Sequence, residues 1–284
     1  MSRFTAGALR AKGNDVRDAL TEALARMFSF GSMTLDVDEV NEAFGPVVEW
    51  FTRFADSDPE RLEAMRDSLR HTTASLKSPD LEKIDTVHDT VAAWRGPAAD
   101  SFFENFVTPF GRIHQNHVEL SMELDAALTA AITIIDNGRH DAATVADNAV
   151  EMFNAMDSGG GGGGLSMALT IVGAVAGVAG TVATGGTAAV AWALIGGTAS
   201  VGAAATAPTA TIGGNSLEEG LESVRLALAD IHTAMQEEEV ILAEALLSDL
   251  SAVSSDDLFL PNPVILTNPG SRTGEFRLPA GVGD

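Results

Sequence analysis

Few residues in this chain have the types and spacing that chemistry requires. His114 and His117 lie three apart on a predicted helix, with Glu119 and Glu123 close behind them. Imidazole and carboxylate groups on one helix face can hold a divalent metal, but no third ligand is spaced to complete such a site. A solvated or half-buried helix face is therefore the preferred interpretation, and we predict no metal.

Other catalytic arrangements are also missing from the sequence. The run Gly159 to Gly164 is not followed by the Lys-Ser/Thr pair that a phosphate loop requires. We find no nucleophile elbow and no catalytic Cys/His set, and the triplet Glu237-Glu238-Glu239 is typical of a solvated helix face. We therefore predict a protein that is not an enzyme and that uses no cofactor.

Composition narrows the class of partner. The 284 residues carry a formal net charge of −23. Such a surface repels the phosphates of nucleic acids, so nucleic acid is excluded as a partner on electrostatic grounds. The chain has no cysteine, which excludes disulfides and thiolate metal sites. Residues 1–13 have no apolar run behind their basic residues, so we expect no conventional secretory signal.

The spacing of apolar residues predicts an all-α protein, an elongated antiparallel helical bundle. Intervals of three, four and seven recur through most of the chain. Gly45-Pro46 predicts a kinked or split N-terminal helix. A long helix after Pro97 is expected to bend at Pro109 and to break at Gly138. From Leu217 to Ala245 the apolar positions approach a heptad seam, which predicts a partner helix.

These patterns divide the chain into six segments. The predicted segments are N-terminal helices (1–56), a helical hairpin (57–157), a glycine hinge (158–164), an uncharged Gly/Ala-rich apolar helical hairpin (165–214), a long amphipathic helix (215–253) and an extended Pro/Gly-rich tail (254–284). The hinge follows from six consecutive glycines, whose backbone entropy is too large to hold a fixed geometry alone.

The turn Trp94-Arg95-Gly96 stands between two amphipathic patterns. Gly96 offers an unhindered position at the end of one helix, and Pro97 suits the first position of the next. Trp94 can pack across the elbow and fix the two helices in register. By itself the turn is also compatible with a generic helical-hairpin corner.

The surroundings of this turn carry a resemblance. Ser57-Asp58-Pro59 opens a long leucine-spaced arm that leads to Trp94, and Phe102-Phe103 follows in a second arm. Together the segment from Ser57 to Asp157 resembles the WXG100 (ESAT-6-like) family of type VII secretion substrates. As an enlarged chain it is also loosely similar to PE/PPE-like secreted proteins. The resemblance implies an antiparallel helical hairpin, with Trp94 and Gly96 as its turn motif.

The resemblance also implies partners, a location and an export signal. Family members pair with a WXG-like partner or self-associate, and the type VII secretion machinery exports them without a cleavable signal peptide. Their signal is a Tyr followed four positions later by an acidic residue. This chain has no Tyr, and Phe153 with Asp157 is the pair that matches the spacing. The alternative is that Phe153 is an ordinary core residue and Asp157 only ends a helix.

The uncharged block from Ser158 to Leu217 leaves three environments open: a bilayer, a helical core or a partner chain. A helix over Leu165 to Ala183 would span about 28 Å, close to the hydrocarbon thickness of a bilayer. The candidate helix-packing or membrane-facing residues are Gly173, Gly177, Gly180 and Trp192. The block is nevertheless poor in large apolar anchors, and its flanks are acidic.

The function expected from the sequence is therefore non-enzymatic. The leading hypothesis is a secreted or cell-surface helical protein of the WXG100-like kind, acting through protein–protein interaction or oligomerisation. The alternative is an α-helical membrane-active or pore-forming protein that inserts the apolar hairpin 165–205, which would make it membrane-associated. A cytosolic scaffold is a third hypothesis.

Overall fold

A computed structural model describes residues 4–28, 36–78, 84–91, 93–156, 165–170, 209–214 and 216–254. This part of the chain is mostly helical, which confirms the coarse fold prediction. The helices are α1 (Ala6–Phe28), α2 (Val37–Ala43), α3 (Gly45–Thr52), α4 (Pro59–Leu76), α5 (Ile84–Val91), α6 (Pro97–Phe102), α7 (Thr108–Ala155) and α8 (Leu217–Ser254). A 3-10 turn covers Arg53–Ala55, a π turn covers Phe103–Val107, and the strands are β1 (Leu165–Thr170) and β2 (Thr209–Gly214).

The chain forms two compact units. One combines Met1–His71 with Met122–Asp249, and the other combines Thr72–Ser121 with Leu250–Asp284. The main core belongs to the first unit. Its largest fully buried side chains come from α1, α3, α7, β2 and α8, namely Leu9, Val16, Leu20, Val47, Phe51, Val145, Met152, Phe153, Ile212, Val224 and Ile231.

The N-terminal helices pack at a glycine. The predicted split at Gly45-Pro46 is present, because α2 ends at Ala43 and α3 starts at Gly45 with Pro46 in its first turn. A Cβ at Gly13 of α1 would lie 3.1 Å from the Cα of Val48. Glycine at this position therefore lets the backbones of α1 and α3 approach closely.

The predicted break at Gly138 is wrong, because α7 runs through this residue without interruption. Gly138 is instead a packing notch for α8. A Cβ added there would lie 2.1 Å from Sδ of Met235. The methionine side chain occupies the space that any larger residue would need, and burial of this contact offsets the helix-weakening effect of glycine.

The predicted heptad seam of α8 finds its partner helix within the chain. Val224, Leu228 and Ile231 belong to the core that also contains residues of α7. Leu242 forms a second buried cluster with residues of α7 that include Ile134. Ser216 caps the start of α8, where its Oγ accepts a hydrogen bond from the N–H of Glu219 at 3.2 Å.

The helical prediction for both ends of the segment 165–214 is wrong. Residues 165–170 and 209–214 are antiparallel strands that pair Leu165 with Gly214 and Thr170 with Thr209. Glycine and threonine in β2 are weak helix formers, whereas β1 consists mostly of leucine, methionine and alanine, so pairing with β2 overrides the local helix preference of β1. Ile212 anchors β2 because its side chain is fully buried in the main core.

Arg139 is a buried arginine that the sequence did not single out. It is only 2% exposed, and its guanidinium hydrogen-bonds main-chain carbonyls from several segments. The accepting oxygens are those of Phe4 (3.3 Å), Phe54 (3.1 Å), Ala55 (3.3 Å) and Ser57 (2.7 Å). Three of them follow α3, where helix-end carbonyls lack main-chain partners and carry partial negative charge. Arg139 thereby ties α7 to the chain on both sides of α1 to α3.

We expect Arg139→Met to lower the free energy of unfolding by about 2 to 4 kcal/mol, because buried carbonyls lose their donors. Urea denaturation followed by circular dichroism measures this. Arg10→Met on the exposed side of α1 is the matched control and should shift stability by less than about 0.5 kcal/mol. Equal stability of the two variants would contradict the role assigned to Arg139.

Gly138→Ala should destabilise the protein by about 1 to 3 kcal/mol, because its methyl group overlaps Met235. Gly111→Ala, in the same helix but with no atom within 4 Å of the added Cβ, should stabilise by about 0.5 to 1 kcal/mol. When Met235 is also replaced by alanine, Gly138→Ala should no longer destabilise the protein. Equal destabilisation in that background would refute the packing of Met235 against Gly138.

Candidate docking site at the helix break

The candidate site begins where the chain is interrupted between α5 and α6. Helix α5 ends at Val91, and Gly96 precedes the first helical residue, Pro97. Gly96 has φ +106° and ψ 173°, a region that is essentially restricted to glycine. A Cβ at Gly96 would meet no atom within 4 Å, so its backbone conformation, and not space, requires glycine there.

Trp94 projects from this break. Its ring centroid lies 5.8 Å from that of Phe102 on α6, at an angle of 41°. The residue is nevertheless 54% exposed. One part of the indole is therefore supported by Phe102, while much of it stays accessible to a partner. Arg95 donates from Nη1 to the carbonyl of Trp94 at 3.0 Å.

A row of aromatic side chains continues from Phe102. The ring of Phe106 stacks on it at 5.7 Å and 22°, and Phe103 meets it edge-on at 6.4 Å. Phe102 and Phe106 are four residues apart, a spacing that places side chains next to each other on one face of a helix. All three phenylalanines are half-buried. The result is an aromatic surface, formed by Trp94, Phe102, Phe103 and Phe106.

The π turn has an identifiable cause. Pro109 has no N–H to donate to the carbonyl of Asn105, which removes one α-helical bond. The N–H of Thr108 instead donates to the carbonyl of Phe103, five residues back. The sequence predicted a bend at Pro109, and the structure places the irregularity in the five residues that end just before Thr108.

Helices α4 and α7, which come before and after the break in the chain, pack in opposite directions. Oγ1 of Thr73 on α4 lies 2.5 Å from Oγ of Ser121 on α7. Further along α4, the carbonyl of Leu76 lies 2.6 Å from Nε2 of His114, which is earlier on α7. As residue numbers rise along α4, the numbers of the contacting residues on α7 fall. The two helices are therefore antiparallel. The break and the aromatic surface lie in the part of the chain that joins these two helices.

Two ion pairs on the described helices, Arg70 with Asp125 and Arg225 with Glu222, lie at the surface. Arg70 forms a two-point contact with Asp125, at 2.6 and 3.2 Å, and this hydrogen bonding raises the pKa of Arg70. On α8, hydrogen bonding to Arg225 lowers the pKa of the Glu222 carboxyl, and the same bond raises the pKa of Arg225. Each of these shifts favours the charged form of the group concerned. Exposed pairs of this kind contribute little to stability.

The histidines considered as metal ligands have other contacts. His114 is engaged by the carbonyl of Leu76 and stacks on Phe110 with ring centroids 6.1 Å apart. Glu119 accepts a hydrogen bond from Gln115 at 2.9 Å. Among the described residues, no three His, Cys, Asp or Glu side chains come together in a way that could hold a metal ion.

Of the predicted export pair, only Phe153 lies within the described residues. Phe153 is fully buried in the main core, where it faces Gly220, and its carbonyl accepts a hydrogen bond from Arg26 at 3.3 Å. Asp157 lies outside the described residues. The fold thus packs Phe153 against α8.

The apolar hairpin falls mostly outside the described residues, as do all four candidate membrane-facing positions, Gly173, Gly177, Gly180 and Trp192. Across the helices that are described, none combines the length and apolarity needed to cross a membrane.

Comparison with known proteins adds no relative. No family model, no curated protein and no solved structure matches the chain. The geometry of the molecule therefore carries the functional argument alone.

Gly96→Ala should lower the free energy of unfolding by about 1 to 3 kcal/mol, because alanine is strained at this backbone conformation. It should also change the near-ultraviolet circular dichroism of Trp94, since the break repositions the indole. Gly45→Ala is the control, as that position also has open space around it and is not at positive φ. If both variants behave like the wild type, the break does not depend on glycine.

Proposed function

We propose that this chain is a non-enzymatic secreted helical protein of the WXG100-like kind, which acts by binding a protein partner. The observation that carries the proposal is an exposed tryptophan at a glycine break, between helical arms that pack antiparallel. The partner is a WXG-like protein or a second copy, and export uses type VII machinery. The protein is secreted or held at the cell surface.

The aromatic surface suits protein binding on physical grounds. An indole that is more than half exposed adds little to the stability of its own fold but can bury a large apolar area in a complex. Tryptophan is enriched among residues whose truncation costs most of the binding energy. The neighbouring phenylalanines are held in place by ring contacts, so a partner meets a preorganised surface.

The proposed export signal combines Phe153 with Asp157. Because the ring of Phe153 is buried in the folded protein, a receptor that contacts it acts either before folding or after the last turns of α7 open. The Asp157 carboxylate is the part of the signal that can be altered without removing a core side chain.

Export is tested in a bacterium that has type VII machinery, by comparing the protein in culture medium with that in cells. We expect Asp157→Asn and Trp94→Ala each to lower the exported fraction by at least about tenfold, the loss that corresponds to about 1.4 kcal/mol of recognition. Trp94→Ala should unfold at nearly the wild-type urea concentration.

The control for this test is Met65→Ala, which removes another large side chain that is 51% exposed, on α4. It should be exported like the wild type. A cytosolic marker in the medium reports lysis. Export of both Trp94→Ala and Asp157→Asn at the wild-type level would refute the proposed function.

A further inference from the structure

Helix α8 has a second apolar line on the side away from the core. Leu226, Val240 and Leu247 are 48%, 55% and 64% exposed. With the exposed Thr233 they stand seven residues apart, a heptad line over three repeats. Isolated exposed apolar side chains are common on protein surfaces. Apolar side chains that repeat at heptad spacing along one helix form a coiled-coil pattern.

This line lies opposite the buried seam. At about 100° per residue, Leu226 is rotated by roughly 200° from Val224, which is fully buried. One side of α8 is thus covered by α7, while the other presents its own apolar line. The heptad seam predicted from the sequence therefore accounts for the buried face of α8. The exposed face carries the second apolar line.

The rest of this face completes a coiled-coil register. With Leu226 at position a, the d positions are Ala229, Gln236 and Ala243, which are all exposed. Alanine at two of these positions lets a second helix approach closely. The following e positions are all acidic and exposed, namely Asp230, Glu237 and Glu244.

We propose that this exposed face of α8 binds an amphipathic helix of another protein whose apolar heptad positions are flanked by lysine or arginine. Charge complementarity selects this partner, because the acidic row runs beside the apolar line and the whole chain carries −23. In coiled coils the charges at e and g set the choice of partner.

A second copy of this chain does not fit the face. In an antiparallel pair the acidic e rows would face each other, and in a parallel pair Glu239 would lie opposite Glu244 of the second copy. The net charge of −23 on each chain adds to this repulsion. This inference does not rest on the proposed function, because α8 is a different element from the aromatic surface.

The test uses the full chain and a labelled helical peptide of four heptads, with leucine at a and d and lysine at e and g. Fluorescence anisotropy at low and moderate salt measures binding. We expect the wild type to bind this peptide at least about tenfold more tightly than the matched peptide with glutamate at e and g. A lysine peptide of the same composition with scrambled heptads should bind as weakly as the glutamate peptide.

Variants locate the binding to α8. The pair Val240→Asn with Leu247→Asn should weaken binding of the lysine peptide by at least about tenfold. The pair Glu237→Lys with Glu244→Lys should reverse the preference toward the glutamate peptide. Glu60→Lys with Asp67→Lys on α4 changes the net charge equally and should keep the wild-type preference.

Three results would overturn the proposal. They are equal binding of the heptad and scrambled lysine peptides, a charge-reversed α8 that still prefers lysine, and self-association that Val240→Asn with Leu247→Asn abolishes. Circular dichroism of each variant establishes that it is folded, since all four α8 positions are exposed. Export of the same variants, which should be normal, separates this inference from the proposed function.

Discussion

The first unit depends on satisfying the main-chain carbonyls that follow α3. The carbonyls of Phe54, Ala55 and Ser57, in and just after the 3-10 turn, lie inside the unit and take their donors from a side chain. Arg139 supplies those donors from a single turn of α7, and it also reaches the carbonyl of Phe4 before α1. A planar, permanently charged guanidinium can serve several carbonyls at once, which lysine cannot do with one compact ammonium. The start of α1 and the end of α3 are thereby fixed to the longest helix.

Close packing of long helices is the second constraint. Gly13 brings α1 against α3, and Gly138 receives Met235 from α8. At Gly220 the added Cβ would lie 3.0 Å from the terminal methyl groups of Met152 and Met156. Flexible thioether side chains can fill irregular gaps that branched residues cannot. Gly13, Gly138 and Gly220 are therefore packing sites within helices and not breaks, which is why the prediction of a break at Gly138 was wrong.

The two proposed binding surfaces arise because packing leaves parts of the helices uncovered. Trp94 is held at a break whose glycine conformation excludes other residues, and its ring contacts Phe102, which in turn contacts Phe103 and Phe106. On α8 the core covers one heptad seam and leaves a second, acid-flanked line in solvent. The acidic row beside the apolar line on α8 suits this face to a basic partner. The line on α8 is set by the helix that presents it, whereas the position of Trp94 also depends on the backbone conformation at Gly96.

The spacing of apolar residues determined that the described part of the chain is mostly helical. Glycine and proline determined that α2 and α3 are separate and that a break follows Trp94. Each of these follows from local physics, because helical period, proline and glycine act within a few residues. Tertiary structure alone decided the rest. It placed Phe153 in the core, buried Arg139 among carbonyls distant in sequence, and paired Leu165–Thr170 with Thr209–Gly214 as strands. These outcomes depend on which distant segments meet, and the spacing of residues along one helix carries no information about that.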